Sequence, residues 1–368
     1  MAPASQPPAG PASPRRGRRV TRAWAGGLLT ATARWHDRGM RRRAGVLLAT
    51  LGLAACGGDD GGGTVIGGGG PYFPAGAFWD RDVSGVAPAA NSDAIIGSLR
   101  GAGGWGNGDT FQIDFSIDVL RADGASPAKR SFTPTGDFYE PDCDAVPMPV
   151  PAGGNVEGEA GYACTGDGDC HLLVWAPDEK QLYEMWRANI VGDQFDGGCL
   201  AVWDTSRNYG PTGRGEQCTS ADAAGFPIAP LLFTADEVAA GEIDHAIRFI
   251  LPNDRVQRGY VRPATHGTNT TGDANAPSYG VHLRLRADYP LDSLPTEGAR
   301  VVARALQRYG MYHADGGNIA LTAQSDRYTT AKWDGLLAPR DLSALQVEDF
   351  DVIDHGAPIE LTFDCVRN

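Results

Sequence analysis

The chain has 368 residues and a formal net charge of −13, with 45 acidic residues against 32 basic ones. A field of that sign repels a phosphate backbone and argues against nucleic acid as a partner. Fifty glycines and 25 prolines signal many turns, the composition of a β-rich chain rather than a helical bundle.

In chain order, residues 1–39 are rich in Pro, Ala and Arg, lack apolar periodicity and stand ahead of a complete export signal. They read as an upstream extension, with Met40 the expected start. From there Arg41, Arg42 and Arg43 precede an apolar run, Ala44 to Ala55, that ends in small residues. This is the charged, apolar and small-residue order of a signal peptide over 40–55, too short to span a bilayer. The following "LAAC", Leu53 to Cys56, resembles a bacterial lipobox. That resemblance implies cleavage before Cys56 and lipid on its sulfur, so membrane contact is expected through the anchor alone. Gly57, where an inner-membrane retention signal typically has aspartate, points to the outer membrane. Residues 56–70 are a glycine-rich tether. Removing residues 1–55 takes away ten arginines and one aspartate, leaving 22 basic against 44 acidic residues.

Six cysteines remain: Cys143, Cys164, Cys170, Cys199, Cys218 and Cys365. An even number in an exported chain predicts up to three disulfides, with the pairing open. Cys164 and Cys170 are close enough to bridge each other, which makes "TGDGD" between them a tight turn rather than a calcium loop.

Residues 71–368 read as one domain. "FQIDFSIDVL" (111–120) alternates strictly, with Phe111, Ile113, Phe115, Ile117 and Val119 on one face. Strands are also predicted at 171–176, 199–204, 246–251, 260–264, 280–286, 318–323 and 359–363. Two helices interrupt them. One starts at a capping box from Thr234 to Glu237 and stops at Gly241; the other runs from Thr296 to Gly310. The expected fold is mainly β, a single β-sandwich or jelly-roll-like domain with two or three short helices.

Four stretches, "HLLVWAPDEKQLYEMWRA" (171–188), "CTSADAAGFPIAPLLFTADEVAAGEIDHAIRFILP" (218–252), "RPATHG" (262–267) and "RALQRYGMYHADGGNIALTAQSD" (304–326), resemble a widespread, largely uncharacterised family of secreted bacterial and fungal proteins. The resemblance covers most of residues 91–354. It implies an extracellular β-rich domain and carries no reaction with it.

Within these words the candidate catalytic residues are His171, Glu184, Asp222 and His266. A loop histidine over a β scaffold suits general acid or base work. Glu184 sits between Tyr183 and Trp186, a setting that raises a carboxyl pKa. Asp222 lies in a loop of small residues, and Asp169 lies two residues before His171. Paired carboxylates are what glycoside hydrolysis requires. Trp175, Trp186 and Trp203 offer stacking faces for sugar rings. Arg284 and Arg286 alternate with His282 along one strand and suit uronate or sulfate groups. His245, in phase with Ile247 and Phe249, reads as a core residue. No serine-nucleophile elbow, zincin motif or phosphate loop is present.

The expected function is an envelope-anchored, polysaccharide-cleaving enzyme, hydrolase or lyase, with extracellular polysaccharide as its partner and no cofactor. The alternatives are a non-catalytic surface lipoprotein that binds glycan or protein, and a metal-dependent hydrolase using His171, His245, His266 and Asp222.

Overall fold

Phe111 to Leu120 form one extended run, as their alternation predicts, but the run serves two sheets. Its first half is strand β1 (Ile113–Ile117) and its second half β2 (Val119–Arg121), with the crossing at Asp118. The computed structural model describes residues 70–124, 127–166, 168–353 and 355–368. The expected signal peptide, the lipidated Cys56 and the tether up to residue 69 lie outside these.

The other main strands are β3 (Leu172–Ala176), β4 (Gln181–Trp186), β5 (Cys199–Asp204), β6 (Ile247–Leu251), β7 (His282–Leu285), β8 (Met311–Gly316), β9 (Leu321–Gln324) and β10 (Phe350–Ile353). They form a mixed six-stranded sheet in the order β1-β9-β6-β8-β7-β10 and a four-stranded sheet in the order β5-β4-β3-β2. β1 runs parallel to β9, and β6 parallel to β8. In the smaller sheet only the β2–β3 pair is parallel. The fold is mainly β, as expected.

Alternation along the four-stranded sheet divides its side chains between two cores. Leu173, Leu182, Ala201 and Trp203 join Ile247, Phe249 and Leu321 of the larger sheet in one apolar cluster. Leu172, Val174, Tyr183, Met185 and Leu200 build a smaller core on the opposite face. Each such aliphatic side chain taken fully out of water contributes about 1.5–3 kcal/mol.

Four α-helical segments occur among the described residues: α1 (Ser92–Gly101), α2 (Gly106–Asp109), α3 (Ala235–Ala240) and α4 (Glu297–Arg308). The Thr234 capping box and the left-handed Gly241 bound α3. Thr296 caps α4, which packs against β7, while α1 packs against β10. None of these helices is long and apolar enough to cross a membrane. Gly310 ends α4 at φ +72°, and a Cβ there would meet His282 Nε2 at 2.5 Å, so only glycine fits.

Three disulfides form: Cys143–Cys199, Cys164–Cys170 and Cys218–Cys365. Two expected strands are corrected. Residues 260–264 and 359–363 contribute only isolated bridges, Tyr260 to Tyr279 and Tyr260 to Ile359. The first turns away at Pro263, which has no N–H to extend a ladder.

Candidate functional site

A cleft of about 300 Å³ opens where several chain segments end side by side. Asp315 comes from the carboxyl end of β8, Trp186 from the end of β4 and Asp169 from the turn before β3. Thr219, Ser220 and Ala221 form one wall, His266 to Asn269 another, and Phe363 of the C-terminal segment closes the rim.

Local chemistry fixes each piece. The Cys164–Cys170 disulfide braces the turn that carries Asp169. Arg187 N–H donates to the Asp169 carbonyl at 2.9 Å, and Trp186 Nε1–H donates to Asp169 Oδ1 at 2.9 Å. The two walls are joined by Thr265 and His266 N–H groups, both donating to the Ala224 carbonyl, and by Thr265 Oγ1–H donating to the Cys218 carbonyl at 2.8 Å. Cys170, Arg187 and Phe363 all have positive φ (+47°, +56° and +65°), a costly conformation for residues with side chains. Each lines the cleft or adjoins a residue that does.

His266 is 91 % buried, and its Nδ1 lies 2.9 Å from the Ala223 carbonyl. Nδ1 therefore carries the proton and donates it, which leaves Nε2 as an acceptor with no protein partner among the described residues. Burial holds the ring below the usual histidine range. Asp315 is the opposite case. Burial and then the charge of Asp222 push its carboxyl up to about 7; Arg248 pulls the other way, and Asp169 adds to the rise. Arg248 Nη2 lies 3.6 Å from Asp315 Oδ2 and donates to Asp222 Oδ1 at 2.6 Å. The cleft therefore presents a carboxyl that titrates near neutrality, a second, exposed carboxyl group and an imidazole acceptor.

The residues singled out from sequence are only partly brought together. His266 and Trp186 line the cleft. His171 is buried beneath it: Nδ1 meets Glu157 Oε2 at 2.7 Å and Nε2 donates to the Ala221 carbonyl at 3.1 Å. Burial works against the charged ring, but Glu157 overcomes it and lifts His171 to about 9, so it is an imidazolium supporting the wall rather than a base within it. Glu184 is wholly buried, accepting from Trp203 Nε1 and from the Ile228 and Ala229 N–H groups at 2.8–3.0 Å. Burial pushes it up to about 7 against the pull of those donors. Asp222 is also buried and lies behind Asp315, paired with Arg248.

The other expected contacts are placed elsewhere. Trp203 is buried on Glu184, and Trp175 packs under Arg121 and against the edge of Tyr72. Arg284 is buried, donating to the Val83, Ser84 and Val86 carbonyls and pairing with Asp351 at 3.0 Å. Arg286 pairs with Asp288. His282 is buried on the Tyr309 carbonyl, so of the alternating stripe only Arg286 stays at the surface. His245 meets Glu237 and the Ala246 carbonyl, so the four residues of the metal alternative hold separate partners. Among the described residues the cluster closest to a ligand set is Asp142, Cys218 and Cys365, whose two sulfurs are already joined.

Sequence reasoning passed over Asp315. Its signal was available in "YHADGG", where a carboxylate precedes two glycines at the end of an apolar run. Comparison of the chain with family models, curated proteins and solved structures finds no match.

Proposed function

We propose that this protein hydrolyses glycosidic bonds in an extracellular polysaccharide and is held at the cell envelope by lipid on Cys56. The observation that carries the reading is the carboxyl pair Asp315 and Asp169 in one cleft, one pushed up to about 7 by its surroundings and the other exposed at the N–H edge of the Trp186 indole. Asp315 gives its proton to the glycosidic oxygen, and the bond from that oxygen to the anomeric carbon breaks with its electron pair left on oxygen. Water adds to the anomeric carbon and yields a proton to Asp169; exchange with solvent restores both carboxyls. Trp186 and Phe363 offer ring faces for the sugar, and His266 Nε2 accepts from a sugar hydroxyl. The lipobox-like "LAAC" and the polar tether after it support the anchor.

The test is release of reducing ends from a polysaccharide panel by the purified protein, with Asp315→Asn and Asp169→Asn alongside. Loss of at least a hundred-fold in both variants is expected. Unchanged turnover in Asp315→Asn, or no glycan cut or bound, sinks the reading. Palmitate incorporation that persists after Cys56→Ser would remove the anchor.

A further inference from the structure

The cleft does not end at its carboxylates. A second, more open depression of about 420 Å³ shares Asp169, Thr268 and Asp315 with the first and continues to Asn253, Asn318 and the Gly316–Gly317 pair. Asp169 and Asp315 therefore stand at a junction. On one side lie Trp186, Phe363 and the unpartnered Nε2 of His266; on the other lie side-chain amides over a glycine floor. Neither depression has a lysine or an arginine in its lining, whereas Asp142, Asp169 and Asp315 all contribute. Arg258 stands outside the lining, over the Phe363 ring and 3.4 Å from Asn269 Oδ1, and two further guanidinium groups are engaged with carboxylates. Arg248 is buried on Asp222, and Arg187 lies along the Trp186 ring and 3.5 Å from Asp137.

We infer that the groove takes a linear, non-anionic glycan across both depressions and cuts it within the chain rather than at its end. The inference rests on the hydrolytic reading above and adds to it the substrate class and the mode of attack. A chain seated on both sides of Asp169 and Asp315 brings an internal linkage to the proton donor. A uronate or sulfated chain would set its charges against Asp142 and Asp169 with no cation in the lining itself to receive them. Neutral chains and amino-bearing chains both meet the requirement, and amino groups gain from the aspartates.

The experiment incubates the full chain with a soluble neutral glucan, with chitosan and with alginate, following viscosity and reducing ends together and sizing the products. Viscosity is expected to collapse before reducing ends accumulate, with alginate cut at least ten-fold more slowly than the best non-anionic chain. Asn318→Trp, an exposed substitution that fills the second depression, is expected to slow chain cutting at least ten-fold while the circular dichroism spectrum is unchanged. Release of mono- or disaccharide at constant viscosity overturns internal cutting and leaves hydrolysis standing. Alginate cut as fast as the others overturns the charge argument alone. If no chain is cut, and Asp315→Asn binds none of the three, the hydrolytic reading falls and this inference with it.

Discussion

The indole of Trp186 donates to the carboxylate of Asp169 at 2.9 Å, so the aromatic wall and the exposed carboxylate orient each other. Trp186→Phe keeps a ring face but removes the donor. We expect a fall in kcat of roughly ten- to a hundred-fold with little change in KM, because misplacement of a reacting group acts on the chemical step. Steady-state kinetics on a cleaved glycan checks this; a rise in KM at constant kcat would assign Trp186 to binding alone.

Asp315 must hold its proton to act as the acid, and its surroundings raise it to about 7. The rate should therefore fall on the alkaline side as pH rises through about 7, and that limb should vanish in Asp315→Asn. The same raised value has a consequence for stability. A carboxyl held higher in the folded chain than in the unfolded one stabilises below the unfolded value near 4, and that contribution is lost as pH rises through about 7. Melting temperature measured from pH 4 to 7.5 should show a shallower decline in Asp315→Asn than in the parent protein.

Glu184 is predicted to be a structural residue. Removing its carboxylate leaves the Trp203, Ile228 and Ala229 donors buried without acceptors, each costing about 1–3 kcal/mol. Glu184→Ala should lower the urea midpoint sharply, whereas the molecules that remain folded keep the parental kcat. A large loss of kcat at full stability would return Glu184 to the chemistry.

The disulfides should separate stability from activity. Cys218–Cys365 spans 147 residues of chain and Cys164–Cys170 only six, so loop-closure entropy assigns them about 5 and about 2 kcal/mol. Cys365→Ser should therefore cost more in melting temperature than Cys164→Ser. Activity should respond more strongly to Cys164→Ser than its small stability cost suggests, since that bridge braces the turn carrying Asp169. Proportional losses of both quantities in both variants would refute this separation.

Where burial was one-sided, the sequence could be read. The alternation of residues 111–120 located a strand, and the Thr234 and Thr296 caps located two helices. It missed β4 and β8, both covered on two faces so that no alternation marks them, whereas β6 and β7, equally buried, were legible from their runs of branched and apolar residues. The candidate site was legible in His266 and Trp186 and obscured in His171, Glu184 and Asp222. Those three carry the same chemical groups as an active site but spend them on Glu157, on backbone N–H groups and on Arg248. Charge alone cannot distinguish a group that faces solvent from one already engaged; that depends on which loop folds over it. Arg284 is the plainest case, since carbonyls from residues some 200 positions earlier in the chain claim its guanidinium.

The crossing at Asp118 ties the registers of the two sheets to one another. Asp118 is buried and accepts from Asn155 and Ser325, while Ser325 N–H reaches the Ile117 carbonyl at 2.7 Å, so the junction is gripped from two other segments. A single residue inserted between Ile117 and Val119 would leave one half-strand in phase and turn every side chain of the other to its opposite face. Neither sheet can then drift, fray or be lengthened on its own. Amide protons of β1 and β2 should exchange with solvent at one common rate, that of the whole domain coming apart at once.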